Sequence, residues 1–449
     1  MNHLKIFAAL LFLAPSGGLY AQATPAPEPV RPAVECTPRG GLPNVFAKLK
    51  AGEPVKIAYL GGSITEQKGW RVLSLKWLRE KYPAARIEEI NAAIGGTGSD
   101  LGVYRLEKDV LRFQPDLLFV EFAVNDGGSP SQKIRQAMEG IVRQTWEADP
   151  RCDICFVYTL VTASFPGLQE GRLTRAASVM EDVADHYQIP SVHLGMQAAA
   201  LARDGKLVPA SPDARVEQVA GDALNEASAV PKDAQGRIIF SKDGVHPYTD
   251  TGHVLYTQAL IRALTQMEPL GTSAPHSLIP PLDAGNWEHA RFVAINDAAT
   301  IRRGASDAGV SPDPVAARFS SRLPGIVKLR PGDSLDFRFQ GSDVFLYGLR
   351  GPDSGVIEIT LDGISRKVVN FDRYCGYHRL VTIPIGENLP DRPHDVSVKV
   401  LDDPVAKGEV LAGKGLEDWK ARPAAFTGSD WYVGAVLVLG KTLPGESAR

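Results

Sequence analysis

The sequence predicts a two-domain protein: an α/β domain, folded as a three-layer α/β/α sandwich on a five-stranded parallel sheet, then a β-sandwich or jelly-roll domain. Three observations predict it. At 449 residues the chain is too long for one ordinary domain. Between residues 55 and 194, nearly continuous apolar runs alternate with helical patterns, as parallel strands covered on both faces require. Beyond a Pro-rich stretch at residues 275–281, short segments alternate polar and apolar residues between turn signals, which is the pattern of an antiparallel sandwich.

The elements follow in order. Lys5, the apolar run 6–15 and the small-x-small site Ala21-Gln22-Ala23 read as a secretory signal over residues 1–23. No cysteine follows that site at once, so no lipid anchor is expected. No later apolar run is long enough to span a bilayer, so the mature chain is expected to be secreted or periplasmic, without an integral membrane segment. Residues 24–40 are expected to form a disordered arm, because the stretch 22–32 is rich in Pro and Ala.

The first folded domain is expected over residues 41–268. Its strands are predicted at 55–60, 86–91, 116–124, 153–160 and 189–194. Helices are predicted at 42–50, 70–82, 101–113, 134–147 and 172–187, with a last one at 251–267. Right-handed crossovers leave few topologies, of which the flavodoxin-type strand order is chosen. Residues 196–240 break the rhythm and read as a short helix, a long loop and a short strand at 238–240. A linker is expected at 269–284 and the β-domain at 285–441. Strands of that domain are predicted at 334–339, 344–347, 356–362, 367–371, 380–385, 395–400 and 431–439. Gly341-Ser342, Gly351-Pro352-Asp353, Asp362-Gly363 and Gly386 mark the turns.

Composition excludes some classes of function. The formal net charge is −3 and no basic run of five or more occurs, which argues against nucleic acid as a partner. The four cysteines are Cys36, Cys152, Cys155 and Cys375. Cys152 and Cys155 make a CxxC, but Cys155 falls inside a predicted strand, whereas redox pairs sit at helix starts. A metal site would need two more ligands at matching spacing, and the sequence shows none. Both read as buried structural thiols. An exported setting permits disulfides, and the pairing stays open.

Four short stretches carry residue types suited to acyl transfer: Gly61-Gly62-Ser63, Gly95-Gly96, Asn125-Asp126 and Asp243-Gly244-Val245-His246. Three follow predicted strand ends, where open parallel sheets place their ligands. A serine hydroxyl is a poor nucleophile until a base takes its proton, and His246 can be that base. Asp243, three residues earlier, can hold the imidazole and stabilise its cation. The Asn125 amide and the N–H groups of Ser63 and Gly96 can face a developing oxyanion.

Together these stretches resemble the blocks of the SGNH/GDSL hydrolase superfamily over about residues 55–265. Gly61-Gly62-Ser63-Ile64-Thr65 is similar to the GDS block, and Asn91 to Ser99 to the second, glycine-bearing block. Ala123-Val124-Asn125-Asp126 is similar to the GxND block, and Asp243 to Pro247 to the DxxHP block. There are two departures: Gly62 replaces the Asp of GDS, and Ala123 replaces the first Gly of GxND. The resemblance implies Ser63, Asp243 and His246 as catalytic residues, and Ser63, Gly96 and Asn125 as oxyanion donors. It implies no metal and no organic cofactor.

Residues 333–348 and 356–363 resemble galactose-binding-like jelly rolls, more loosely, over about residues 285–441. This implies an acylated carbohydrate as substrate, with acetyl the expected acyl group. The alternatives are a short-chain lipase, arylesterase or thioesterase, and a non-catalytic carbohydrate-binding protein. Trp287, Tyr374, Tyr377, Trp419 and Trp431 are candidates for stacking on sugar or for core packing. Trp70, Tyr104 and His253 read as structural. Glu121, inside a buried strand, needs a partner, with Arg71 or Arg105 expected.

Overall fold

The computed structural model describes residues 29–211, 221–297, 299–304 and 313–444; the expected signal segment lies outside them. The described residues begin with a six-stranded sheet, in the order β1-β6-β5-β4-β2-β3. Its strands are β1 (Cys36–Thr37), β2 (Val55–Gly61), β3 (Ile87–Asn91), β4 (Leu117–Glu121), β5 (Asp153–Tyr158) and β6 (Ser191–His193). From β2 to β6 all pairs are parallel, in the flavodoxin-type order. β4 and β5 are buried along their whole length, which accounts for their unbroken apolar character.

Helices α1 (Pro43–Ala51), α2 (Ser63–Glu66), α3 (Trp70–Lys81), α4 (Ser99–Asp109), α5 (Ser131–Ala148), α6 (Phe165–Gln169), α7 (Arg175–Tyr187), α8 (Met196–Arg203) and α9 (Gly252–Met267) fill the connections and close the domain. α3 packs with α9, while α4, α5 and α7 pack in a row. The crossover into β3 runs toward one edge and that into β4 runs back. Between β2 and β4 the order reverses, which opens a crevice at their carboxyl ends. A separate two-stranded parallel sheet, β7 (Leu207–Ala210) and β8 (Ile238–Ser241), carries the chain toward α9.

The arm departs from expectation. Residues 24–28 lie outside the described residues, but 29–40 are docked rather than disordered. β1 adds to β6 antiparallel, Cys36 opposite Val192. Two cations hold the segment to the acidic face of α7: Arg39 pairs with Glu181 and Asp185 at 2.6 Å, and Arg31 with Asp182 at 2.6 Å. The Pro and Ala content predicts extension correctly. What it does not register is these ion pairs.

The linker is also packed. His276 stacks on Trp146, with 4.7 Å between ring centroids, and its Nε2 lies 2.8 Å from Asp153 Oδ1. Glu139 accepts from the N–H groups of Leu282 and Asp283 at 2.5 and 2.8 Å.

The second domain is one antiparallel sheet folded about a long strand. Its strands are β9 (Ala290–Ala294), β10 (Ile301–Gly304), β11 (Val327–Leu329), β12 (Ser334–Arg350), β13 (Val356–Leu361), β14 (Ile364–Val369), β15 (Arg379–Gly386), β16 (Arg392–Leu401) and β17 (Trp431–Leu443). The first half of β12 pairs with β16 and its second half with β15. β17 runs along its other side. The two strands expected at 334–339 and 344–347 are therefore one, and Gly341-Ser342 is a register shift within it, not a turn. Leu335, Phe337, Phe339, Ile357, Val398 and Val436 are among the residues of its own core.

A shared apolar seam joins the domains. Trp287, Leu323, Tyr347, Ala435 and Leu437 belong to the same buried cluster as the parallel sheet. Tyr104 of α4 meets Trp287 at 5.8 Å and Phe345 at 6.1 Å. This settles most of the aromatic candidates. Trp287 and Trp431 are core residues, and Trp419 packs beside Phe371 and Leu411. Only Tyr374 and Tyr377 among them are exposed, at 57% and 62%. Among the described residues all four cysteines are free thiols and no group of metal-ligating side chains occurs.

Candidate active site

β2 ends at Gly61, which lies opposite Glu121, the last residue of β4. The next residues of these two neighbouring strands bring Ser63 and Asn125 to the crevice. Ser63 opens α2, with extended backbone at Gly62 before it. Asn125 opens a 3-10 turn over Asn125–Gly128. The loop after β3 supplies Gly95 and Gly96 on the other flank of β2, its start tied by the Ile94 N–H to the Gly61 carbonyl at 3.0 Å.

Gly62 has a steric reason. A Cβ built there would sit 2.1 Å from Asn125 Oδ1 and 2.8 Å from its Cγ. The amide of Asn125 therefore lies directly against the turn before Ser63, and any side chain at 62 would displace it. The departure from the GDS block thus leaves room for the Asn125 amide.

Asp243 and His246 come from the turn after β8. Gly244 has φ +82°, a conformation that L side chains rarely adopt. It donates its N–H to Ser241 Oγ at 2.9 Å, and its carbonyl accepts from the Thr162 N–H at 2.7 Å. The turn is thereby fixed to the loop after β5. Asp243 Oδ1 accepts the N–H groups of Val245 and His246 at 2.9 and 2.8 Å. Its other oxygen faces His246 Nδ1 at 2.7 Å, and His246 Nε2 meets Ser63 Oγ at 2.8 Å. Ser63, His246 and Asp243 thus form one hydrogen-bonded row across 183 positions of sequence.

Burial pulls the Asp243 carboxyl upward, but the His246 ring and the two backbone N–H groups outweigh it and hold it at about 2. The carboxylate is charged wherever the imidazole needs a partner. With Nδ1–H donated to Asp243, Nε2 is left to accept from Ser63 Oγ. That is the tautomer a general base requires. The row is open to solvent: the Asp243 side chain is 52% exposed and that of His246 39%. A shallow site of this kind admits a substituent projecting from a larger molecule.

The surroundings correct one expectation. Glu121 is fully buried, yet its partners are not arginines. Thr65 and Thr159 donate their hydroxyls at 2.8 and 2.7 Å, and the Gly62 N–H adds a third hydrogen bond. Burial, only partly offset by these donors, raises the Glu121 carboxyl above its usual range. Arg71 pairs with Glu89 and Arg105 with Asp109. Glu121 thus ties the Ser63 turn to the strands beneath it. A carboxylate closing an otherwise apolar strand is the only sequence signal of that role. His253 is buried, accepts from the Trp70 N–H at 3.1 Å and faces Gln67 with its other nitrogen, so it is structural as expected. Trp70 is core as well, set edge-on to Tyr59 and Phe119.

Asp126, beside Asn125, is buried and accepts from the Ser99 N–H at 3.0 Å at the start of α4. Burial, opposed by the Ser99 hydrogen bonds and reinforced by Asp100 and Glu121, pushes it up to about 7. The folded carboxyl keeps its proton to higher pH than the unfolded one, so its stabilisation is complete below the ordinary value of 3.8 and is lost as pH rises to about 7. Asp126→Asn, which keeps the acceptor oxygen, is expected to gain stability relative to the native protein across that window. The gain is on the order of 1.4 kcal/mol per pH unit. Melting curves of both proteins at pH 5 and 8 check this; an equal offset at both would contradict it.

A family model described as the GDSL-like Lipase/Acylhydrolase family matches residues 59–247, which contain Ser63, Gly96, Asn125, Asp243 and His246. No curated protein matches the chain. Among solved structures, a two-domain esterase (CEX) active on acetylated mannans, co-crystallized with mannopentaose, is 20% identical. It covers 92% of this chain and 98% of its own, with a TM-score of 0.65. A second crystal structure of an esterase described in the same words, without mannopentaose, covers 91% and 97% at the same identity and TM-score. A catalytic mutant of Axe2, an acetylxylan esterase from Geobacillus stearothermophilus, is 16% identical over 47% of this chain and 94% of its own, with a TM-score of 0.33. The likeness to the two-domain esterase is one of fold and runs through both domains. Residues 59–247, the parallel-sheet part of this chain, thus match the model of the GDSL-like Lipase/Acylhydrolase family, and this part is joined to an antiparallel β-domain.

Proposed function

We propose that the protein is an exported serine esterase that removes short acyl groups, acetyl foremost, from a polysaccharide or oligosaccharide. The observation that carries this reading is the row Ser63–His246–Asp243 within an acylhydrolase domain. Ser63 Oγ attacks the ester carbonyl carbon while His246 Nε2 takes its proton. The resulting oxyanion faces the N–H groups of Ser63 and Gly96 and the Asn125 amide. The bond to the sugar oxygen then breaks, and His246 returns the proton to that oxygen. Water, deprotonated by the same nitrogen, attacks the acyl-enzyme and releases the carboxylic acid and Ser63. Export rests on the leader read in residues 1–23.

Two features support a carbohydrate ester over a lipid. The row is open, with exposed Gly95 and Gly96 beside it, which suits an acetyl group on a large molecule. The second feature is the shared two-domain fold with an esterase active on acetylated mannans. A series of p-nitrophenyl esters is expected to fall at least about tenfold in kcat/KM from acetate to octanoate. Acetate is expected to be released from at least one acetylated polysaccharide in a plant, algal and bacterial panel. Preference for octanoate, with no acetate released from any glycan, would overturn the substrate class.

A further inference from the structure

Resting on the esterase reading above, we propose that Arg322 of the second domain is a positioning residue for the oxyanion loop, acting through Glu66. Glu66 closes the one-turn helix that Ser63 opens. Its Oε2 accepts the Gly95 N–H at 2.9 Å, and its Oε1 is paired with the Arg322 guanidinium. One carboxylate therefore bridges the loop that presents Gly96 and a cation from the other domain.

The loop needs such a hold. It is fixed at its start by Ile94 on Gly61, and Thr97 Oγ1 bonds back to the Ile94 carbonyl at 2.8 Å. Between these points Gly95 and Gly96 are exposed, and Gly96 has φ +75° with open space where a Cβ would be. Gly95 lies against the nucleophile, since a Cβ built on it would be 3.3 Å from Ser63 Cβ. A small shift of the loop would therefore move an oxyanion donor relative to Ser63, and oxyanion stabilisation depends on donors being set before the reaction.

Arg322 is itself firmly seated. Its N–H donates to the Phe319 carbonyl at 3.0 Å, and Leu323 beside it is fully buried in the seam between the domains. Its own carbonyl accepts from Lys108 of α4 at 3.4 Å. The pair, by contrast, is partly exposed, with side chains 45% and 27% accessible. An ion pair in that setting contributes little to stability. Its consequence is geometric: the second domain helps to set the position of Gly96.

The test uses the full chain and p-nitrophenyl acetate. Arg322→Ala is expected to lower kcat about tenfold, with KM within about twofold. Binding of phenylboronic acid, which forms a tetrahedral adduct on the serine oxygen, is expected to weaken in parallel. Arg322→Lys keeps the charge and should recover part of the loss. Arg322→Ala in a Glu66→Gln background should add little beyond Glu66→Gln alone, because the two act through one bridge. If Arg322→Ala is poorly folded, the Lys variant and Glu66→Gln carry the comparison. A kcat within twofold of the native value in well-folded variants would overturn the proposal, as would a fall in kcat with boronate affinity unchanged. Ser63→Ala run alongside separates the two levels. If it stays active, the esterase reading fails; if it is inactive while the Arg322 variants are unaffected, only the positioning role fails.

Discussion

Ser63→Ala is expected to reduce kcat/KM on p-nitrophenyl acetate by about 10⁴- to 10⁶-fold. The magnitude follows from the row of hydrogen bonds. With Ser63 Oγ removed, His246 keeps its contact with Asp243 but has no nucleophile to activate, and only binding and the oxyanion donors remain. The fold should be untouched. Ser63 is half-buried at a helix start, and its Oγ bonds to His246 on the open face of the crevice rather than to the core. An unchanged melting temperature together with lost turnover is the expected pair of measurements. Retention of more than about a hundredth of the activity would place the nucleophile elsewhere.

Asn125→Ala is expected to lower kcat by about 10²- to 10³-fold, or about 3 kcal/mol of transition-state stabilisation, with KM little changed. The Asn125 amide lies against Gly62, the residue before the nucleophile, so close that no side chain fits between. A donor held there meets charge only once the carbonyl becomes tetrahedral, so its loss should appear in kcat rather than in substrate binding. Fluorophosphonate acylation of the variant should slow to a similar degree, because that reaction also places an oxyanion near Ser63. A large rise in KM at constant kcat would instead mark Asn125 as a ground-state substrate contact.

Ser63, Asn125, Asp243 and His246 were readable in the sequence because each sits in a short turn at or beyond a strand end. There, small and polar residues break an apolar run, and a parallel sheet gathers such turns at one edge. The five parallel strands were legible from the same pattern, and their observed order is one of the few that right-handed crossovers leave. What was not readable depends on partners far apart in the chain. The bridge from Glu66 to Arg322 spans 256 positions and joins two domains, and nothing in either local sequence calls for the other. The arm shows the same limit, since its Pro and Ala content conceals the two arginines that bind it to α7. Glu121 was recognisable as a buried carboxylate in need of partners. That two threonine hydroxyls would serve rather than an arginine follows only from the packing of β4 against the residues after β2 and β5. In the second domain, two predicted strands are one because Gly341 bends the chain without ending it.

Covalent labelling by a fluorophosphonate tests most directly whether Ser63 is the nucleophile. The reagent is added to the folded protein, and the modified residue is located by peptide mass spectrometry. One adduct is expected, on Ser63, that is absent from Ser63→Ala and forms much more slowly in His246→Ala. A folded native protein that remains unlabelled, or one labelled at another residue with Ser63 intact, would contradict it.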